Sequence, residues 1–159
     1  MRPLVLVLAL LPLPAAAACP GGEEVFSCSI EGRTLRLCHS DGALVYGFGP
    51  PGKPELVLSQ PLTTVDFTPW PGVGRSMWET VAFPNEGYVY EVWTSVERDP
   101  EATEGRTGGV DVLRGDVPVA RLTCDPGTPS QSLDVIYELK EAAGLCWDHG
   151  ASVWTRTCE

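Results

Sequence analysis

Residues 77–96 hold the longest alternation of apolar and polar side chains in the chain, and they constrain its fold more than any other segment. They read Met77-Trp78-Glu79-Thr80-Val81-Ala82-Phe83, then Pro84-Asn85-Glu86-Gly87, then Tyr88-Val89-Tyr90-Glu91-Val92-Trp93-Thr94-Ser95-Val96. Side chains alternate across a strand, so this is a β-hairpin with two unlike faces. Met77, Glu79, Val81 and Phe83 share one face, and pairing across the turn sets Tyr88, Tyr90, Val92 and Val96 beside them. That face is apolar apart from Glu79 and belongs in the core. The other face carries Trp78, Thr80, Ala82, Val89, Glu91, Trp93 and Ser95. Two tryptophans on an outward face need a cover or a partner. The expected cover is the chain's own C-terminal segment; the alternative is a binding patch.

The remaining strands are shorter. Glu24 to Ile30 and Arg33 to Cys38 form a hairpin around Glu31-Gly32, which puts Phe26, Cys28, Ile30, Leu35 and Leu37 on its apolar face and Cys38 on the other. Ala43 to Phe48 follows, then a turn at Gly49-Pro50-Pro51-Gly52-Lys53-Pro54, where Pro and Gly cannot continue a ladder. Glu55 to Ser59 is a strand and Leu62 to Phe67 a short edge strand. Glu97 to Gly109 reads as a polar, mobile loop. Val110 to Arg114 and Val117 to Cys124 make the last hairpin. Thr128-Pro129-Ser130-Gln131 fits a helix-opening capping box. Leu133, Ile136, Tyr137 and Ala143 mark one helical face, and Gly144 is its stop. Many short strands between Gly/Pro turns predict an all-β antiparallel sandwich or barrel of about eight strands. A C-terminal helix and a disulfide-closed tail bring Trp147 and Trp154 back onto the sheet. The expected organisation is a leader over 1–18, a β-domain over 19–124, and the tail over 125–159.

The chain opens with a single positive charge at Arg2, a short apolar run, and Ala16-Ala17-Ala18 before Cys19. This is a secretory signal peptide, too short in its apolar run to stay in a bilayer. Small residues before a Cys also suit a lipoprotein site, but Ala16 stands where that site carries Leu. The cysteines are Cys19, Cys28, Cys38, Cys124, Cys146 and Cys158, an even set in an oxidising compartment. Lipidating Cys19 would strand one thiol, so ordinary cleavage and a soluble product are favoured over a lipid anchor. Cys28 and Cys124 lie on apolar faces of the first and last strands, so a bridge between them would cross the interior. That leaves Cys19 near Cys38, and Cys146 with Cys158. Arg outnumbers Lys and Asn85 is the only asparagine, a bias of GC-rich bacterial genomes. The expected location is the periplasm or the exterior.

The whole chain carries a net charge of −10, from 11 basic and 21 acidic residues. Such a surface repels phosphate, which excludes a general nucleic-acid binder and disfavours anionic lipid. No later segment is long and apolar enough to span a membrane. A basic partner protein fits, because opposite net charges steer encounter. The sequence argues against an enzyme. His39-Ser40-Asp41 is consecutive, and sequence neighbours cannot point at one another as a triad requires. No nucleophile elbow, zinc-protease or phosphate-loop motif is present. Asp148-His149 beside Cys146 falls short of the roughly four ligands that zinc needs. Neither a metal nor a cofactor is expected. The strongest binding candidates are Arg75, on the glycine-flexed turn Gly72-Val73-Gly74-Arg75, and Trp70 beside it, with Trp78 and Trp93. Arg and Trp are favoured interface anchors.

Phe26-Ser27-Cys28, Gly32 with Leu35-Arg36-Leu37, and the closing Cys124 together resemble the small periplasmic inhibitors of C-type lysozyme. In that family an aromatic-x-Cys opens the domain, a Gly–Leu-x-Val hairpin follows, and a Cys closes the last strand. The family's inhibitory loop is Ser-Gly-x-Arg-Tyr; the stretch here is Val73-Gly74-Arg75-Ser76. The resemblance covers residues 24–124. It implies an eight-stranded barrel whose loop enters a lysozyme cleft, with Arg75 as the probe. The function expected is a non-enzymatic exported binding module. Two other classes stand beside it: a structural or envelope-assembly protein with no discrete ligand, and a small hydrolase using carboxylates.

Overall fold

The computed structural model describes residues 19–158; the expected leader over 1–18 lies outside them. Nine antiparallel strands form two sheets. The first is a four-stranded meander of β1 (Glu23–Ile30), β2 (Arg33–Ser40), β3 (Ala43–Gly49) and β4 (Leu56–Pro61). The second is a five-stranded meander of β5 (Asp66–Thr68), β6 (Ser76–Asn85), β7 (Tyr88–Glu97), β8 (Thr107–Arg114) and β9 (Val117–Thr123). One helix, α1 (Val135–Ala142), and a two-stranded hairpin of β10 (Cys146–Asp148) and β11 (Val153–Thr155) complete the described residues. The all-β antiparallel class holds, with one strand more than expected in the two sheets.

The central hairpin is β6–β7. Its register pairs Phe83 with Tyr90, Val81 with Val92 and Glu79 with Thr94, so the expected core face is buried at Val81, Phe83 and Val92; Met77, expected on that face, lies at the open end of the hairpin and is 39% exposed. Glu86 and Gly87 both have positive φ, 50° and 81°. That is the type I′ geometry whose twist matches a two-residue hairpin. Phe83, Val81 and Val92 are fully buried against Phe26, Leu35, Leu37, Leu44 and Tyr46 of the first sheet. The Tyr46 ring bridges the sheets, 5.6 Å from Phe83 and 5.8 Å from Tyr90. Burial of this phenol, with Tyr90 beside it, pushes its pKa above the ordinary tyrosine value.

Glu79, the one charge on the core face, is engaged through one carboxylate oxygen. Its Oε2 accepts from Thr94 Oγ1 at 2.9 Å and from the Leu133 N–H at 3.0 Å. A partly buried carboxylate is stabilised by such hydrogen bonds, and here they also fix the lead into the helix. Leu133 and Ile136 are fully buried beneath it.

Three bridges close the fold: Cys19–Cys38, Cys28–Cys124 and Cys146–Cys158. A thioether-linked lipid at Cys19 would need the sulfur that the first bridge uses.

Three expectations change. The segment 97–109 is not all loop, because β8 begins at Thr107 and Gly108 and Gly109 are buried inside it. A Cβ at Gly109 would lie 2.2 Å from the Leu122 carbonyl oxygen and 3.1 Å from Trp93 Cζ2. Glycine here is a close-approach residue of a strand, not a mark of a loop. Gly109→Ala is expected to destabilise the protein by about 1–3 kcal/mol through overpacking, read as a lower thermal midpoint by circular dichroism. Next, Thr128–Gln131 do not open the helix, which starts at Val135 after Asp134. They line the outer edge of β1 instead. Asp125 N–H and Ser130 N–H donate to the carbonyls of Ser29 and Ser27 at 2.7 and 2.9 Å. Ser130 Oγ and Thr128 Oγ1 accept from the Ser27 and Ser29 amides, and the Gln131 amide donates to the Val25 carbonyl. Unpaired edge groups are a liability, and satisfying them outweighs an earlier helix start. Finally, Leu62 to Val65 turns before β5, with both apolar side chains buried.

Candidate functional site

The loop 69–75 joins β5 to β6 and projects from one end of the second sheet. Its shape is held by its own residues and by the strand opposite. Trp70 Nε1 donates to the Val73 carbonyl at 2.8 Å, folding the indole under the turn. Gly72 and Gly74 have φ of 82° and 101°, which side-chain-bearing residues adopt only under strain. Arg98, just past the end of β7, donates its backbone N–H to the Arg75 carbonyl at 2.9 Å and Nη1 to the Gly74 carbonyl at 3.0 Å. Its guanidinium also lies 5.0 Å from the centre of the Trp70 ring, a cation–π contact. The hairpin register pairs Ser76 with Glu97; carried one step further, it faces Arg98 with Arg75. Sequence reasoning missed Arg98, though that register was the signal for it.

The brace leaves Val73 68% exposed and the Arg75 side chain exposed where the loop enters β6. Arg75 makes no salt bridge among the described residues. Beside it lies an open depression of about 720 Å³, lined by Arg75, Glu97, Arg98, Asp99, Glu101 and Glu104. Of the four binding candidates, Trp70 and Arg75 are therefore brought together, Trp70 as support and Arg75 as the displayed group.

Trp78 and Trp93 sit on the outer face of the second sheet, in adjacent rows paired with Ser95 and Thr80. Trp78 is 38% exposed and extends the loop's surface along β6. Trp93 lies across Gly109, and Arg121 of β9 covers it at 5.0 Å from the ring centre. Arg121 is held there by two bonds to the Asp111 carboxylate, at 2.7 and 2.8 Å.

The C-terminal tail does not supply the expected cover for these two tryptophans. Trp154 stacks on Phe67 of β5 at 6.1 Å and donates Nε1 to the Phe67 carbonyl at 2.8 Å. Trp147 and Tyr137 pack on Trp154 in turn. β5 is the edge of its sheet, and its carbonyls have the stronger claim on the tail.

Carboxylates elsewhere on the outer face show limited chemistry. Strand pairing sets Asp66, Ala82, Glu91, Asp111 and Arg121 in one row. Partial burial raises the Glu91 pKa, Asp111 and Asp66 raise it further, and Arg121 opposes them. Asp111 is committed to Arg121. Among the described residues no group of three or more His, Cys, Asp or Glu side chains is placed to hold a metal. Among the described residues no helix is long and apolar enough to cross a membrane, and the three disulfides belong to an oxidising compartment. Compared with protein families, with curated proteins and with solved structures, the chain finds no match.

Proposed function

We propose that this chain is a non-enzymatic binding module of the periplasm or exterior, which inserts the 69–75 loop into the acidic cleft of a basic protein such as a lysozyme. The observation that carries this reading is the brace. Trp70 and Arg98 fix the loop through its backbone, while the side chains of Val73, in the turn, and Arg75, where the loop joins β6, are exposed. A loop fixed in advance loses little conformational entropy on binding. An exposed Arg beside an apolar side chain is a common interface anchor. The chain's negative charge adds long-range attraction to a basic partner. The resemblance to the inhibitors of C-type lysozyme supports the choice of that partner.

Affinity capture with the oxidised mature chain, against a panel of lysozymes and a periplasmic extract, tests the reading. A lysozyme is expected to bind, more weakly as salt rises. Arg75→Ala is expected to weaken that binding at least roughly tenfold, with stability within about 0.5 kcal/mol of wild type because the side chain is exposed. Unchanged affinity in Arg75→Ala would exclude the loop as the contact.

A further inference from the structure

The outer face of the first sheet, on a different sheet from the strands that flank the 69–75 loop, carries a groove of about 490 Å³. That is within the size range of small-ligand pockets. Its floor is Gly47, at the middle of β3. Val45, Val57, Pro54 and Pro20 wall it, and Arg36 closes one side. Pro20 is held there because the Cys19–Cys38 bridge ties the start of the mature chain to β2.

Gly47 is the telling residue. It pairs in unbroken register with Arg36 on one side and Val57 on the other, so it marks no bulge. Its φ is not positive. A Cβ there would meet only Pro54 Cβ, at an ordinary 3.7 Å. Gly49, two residues on, is different: its Cβ would fall 2.5 Å from the Glu55 nitrogen. Glycine weakens a strand interior and often marks a bulge, a tight bend or the close approach of a ligand or another backbone; at Gly47 the unbroken register excludes the bulge and no backbone lies within 4 Å of its Cβ position. The effect of a side chain at 47 would be to fill the groove.

Arg36 gives the groove its polarity. Its Nε donates to Glu24 Oε2 at 2.9 Å. Its two terminal nitrogens donate to no described residue. The side chain is 27% exposed, enough to reach a ligand and too little to be freely hydrated.

We propose that this groove binds a small amphipathic carboxylate. Its aliphatic chain lies over Gly47 between Val45, Val57 and Pro54, and its carboxylate accepts from the terminal nitrogens of Arg36. A planar guanidinium matches a carboxylate with two parallel hydrogen bonds. The proposal is independent of the lysozyme reading, since no residue is shared.

Titration of the oxidised mature chain with decanoate and with decanol, followed by the amide NMR signals of Val45, Gly47 and Val57, tests it. Saturable decanoate binding is expected, at least roughly tenfold tighter than decanol, with Arg36→Gln removing the difference. Gly47→Leu is expected to abolish binding of both. Val57→Asp, at a wall position already 55% exposed, serves as a second blocking variant that leaves the core untouched. Absence of saturable binding, or decanoate affinity unchanged in both blocking variants, would overturn the proposal. So would sedimentation as a dimer that Val57→Asp dissociates, because the groove would then belong to a second copy of the chain.

Discussion

Replacing Cys28 and Cys124 together by alanine is expected to cost about 3–5 kcal/mol of stability, measured by urea denaturation of the oxidised protein and the variant. The two cysteines are 96 residues apart in sequence. Cross-linking so distant a pair removes much of the unfolded chain's freedom, and the effect grows with the logarithm of the closed loop. Both side chains are also buried, at 4% and 7% exposure, so the substitution leaves space in a packed core. Small domains hold only about 5–15 kcal/mol in total, so the variant loses a large share of its stability. The Cys146–Cys158 pair, 12 residues apart, joins the two ends of the tail hairpin. Its removal frees that hairpin and moves the global transition less.

The second large effect is a rise in stability with pH that depends on Lys140. This lysine is fully buried. Nζ donates to the Leu62 carbonyl at 2.9 Å and lies 5.1 Å from the centre of the Trp154 ring. Burial lowers its pKa to about 8 from the ordinary 10.5, with Asp66 pulling the other way. Between those two values the unfolded chain binds more protons than the folded one, so stability increases with pH. Below about pH 8 the folded state carries the full cost of a buried charge; above 10.5 it carries none. The difference is about 3 kcal/mol across that window. Measured against Lys140→Met over pH 7 to 10.5, wild type is expected to gain by that amount. A flat difference would mean that Lys140 stays charged throughout.

Lys140 also shows where the sequence stops being legible. Leu133, Ile136, Tyr137 and Ala143 announced a helical stripe, and position 140 falls on that same stripe. A lysine there reads as surface until the Leu62 carbonyl and the Trp154 ring are known to meet it. The hairpins and the three bridges were legible because strand alternation assigns each side chain a face, and a bridge needs two sulfurs that can meet. Thr128 and Gln131 misled because their polar groups suit a helix cap and a strand edge equally, and only the fold supplies the edge. The site divides in the same way. Gly72, Gly74 and Arg75 were visible as an unusual local run. Arg98, which braces them, is local only through the hairpin register. The tail was expected over Trp78 and Trp93, but an exposed strand edge at β5 competes with an apolar face, and hydrogen bonding decided the contest.

The edge of β1 is closed by residues 125–131, which are made about a hundred residues after it. Cys28 lies far nearer in sequence to Cys38 than to its partner Cys124, 96 residues away. The β1–β2 hairpin resolves this conflict. Once Cys28 pairs across from Leu35 and Cys38 from Glu24, their sulfurs project from opposite sides of the ribbon and cannot join. The alternation that sorts apolar from polar side chains thus also sorts the cysteines into compatible pairs. Cys38 is left to Cys19 on one side of the first sheet, and Cys28 to Cys124, just past the last strand of the second.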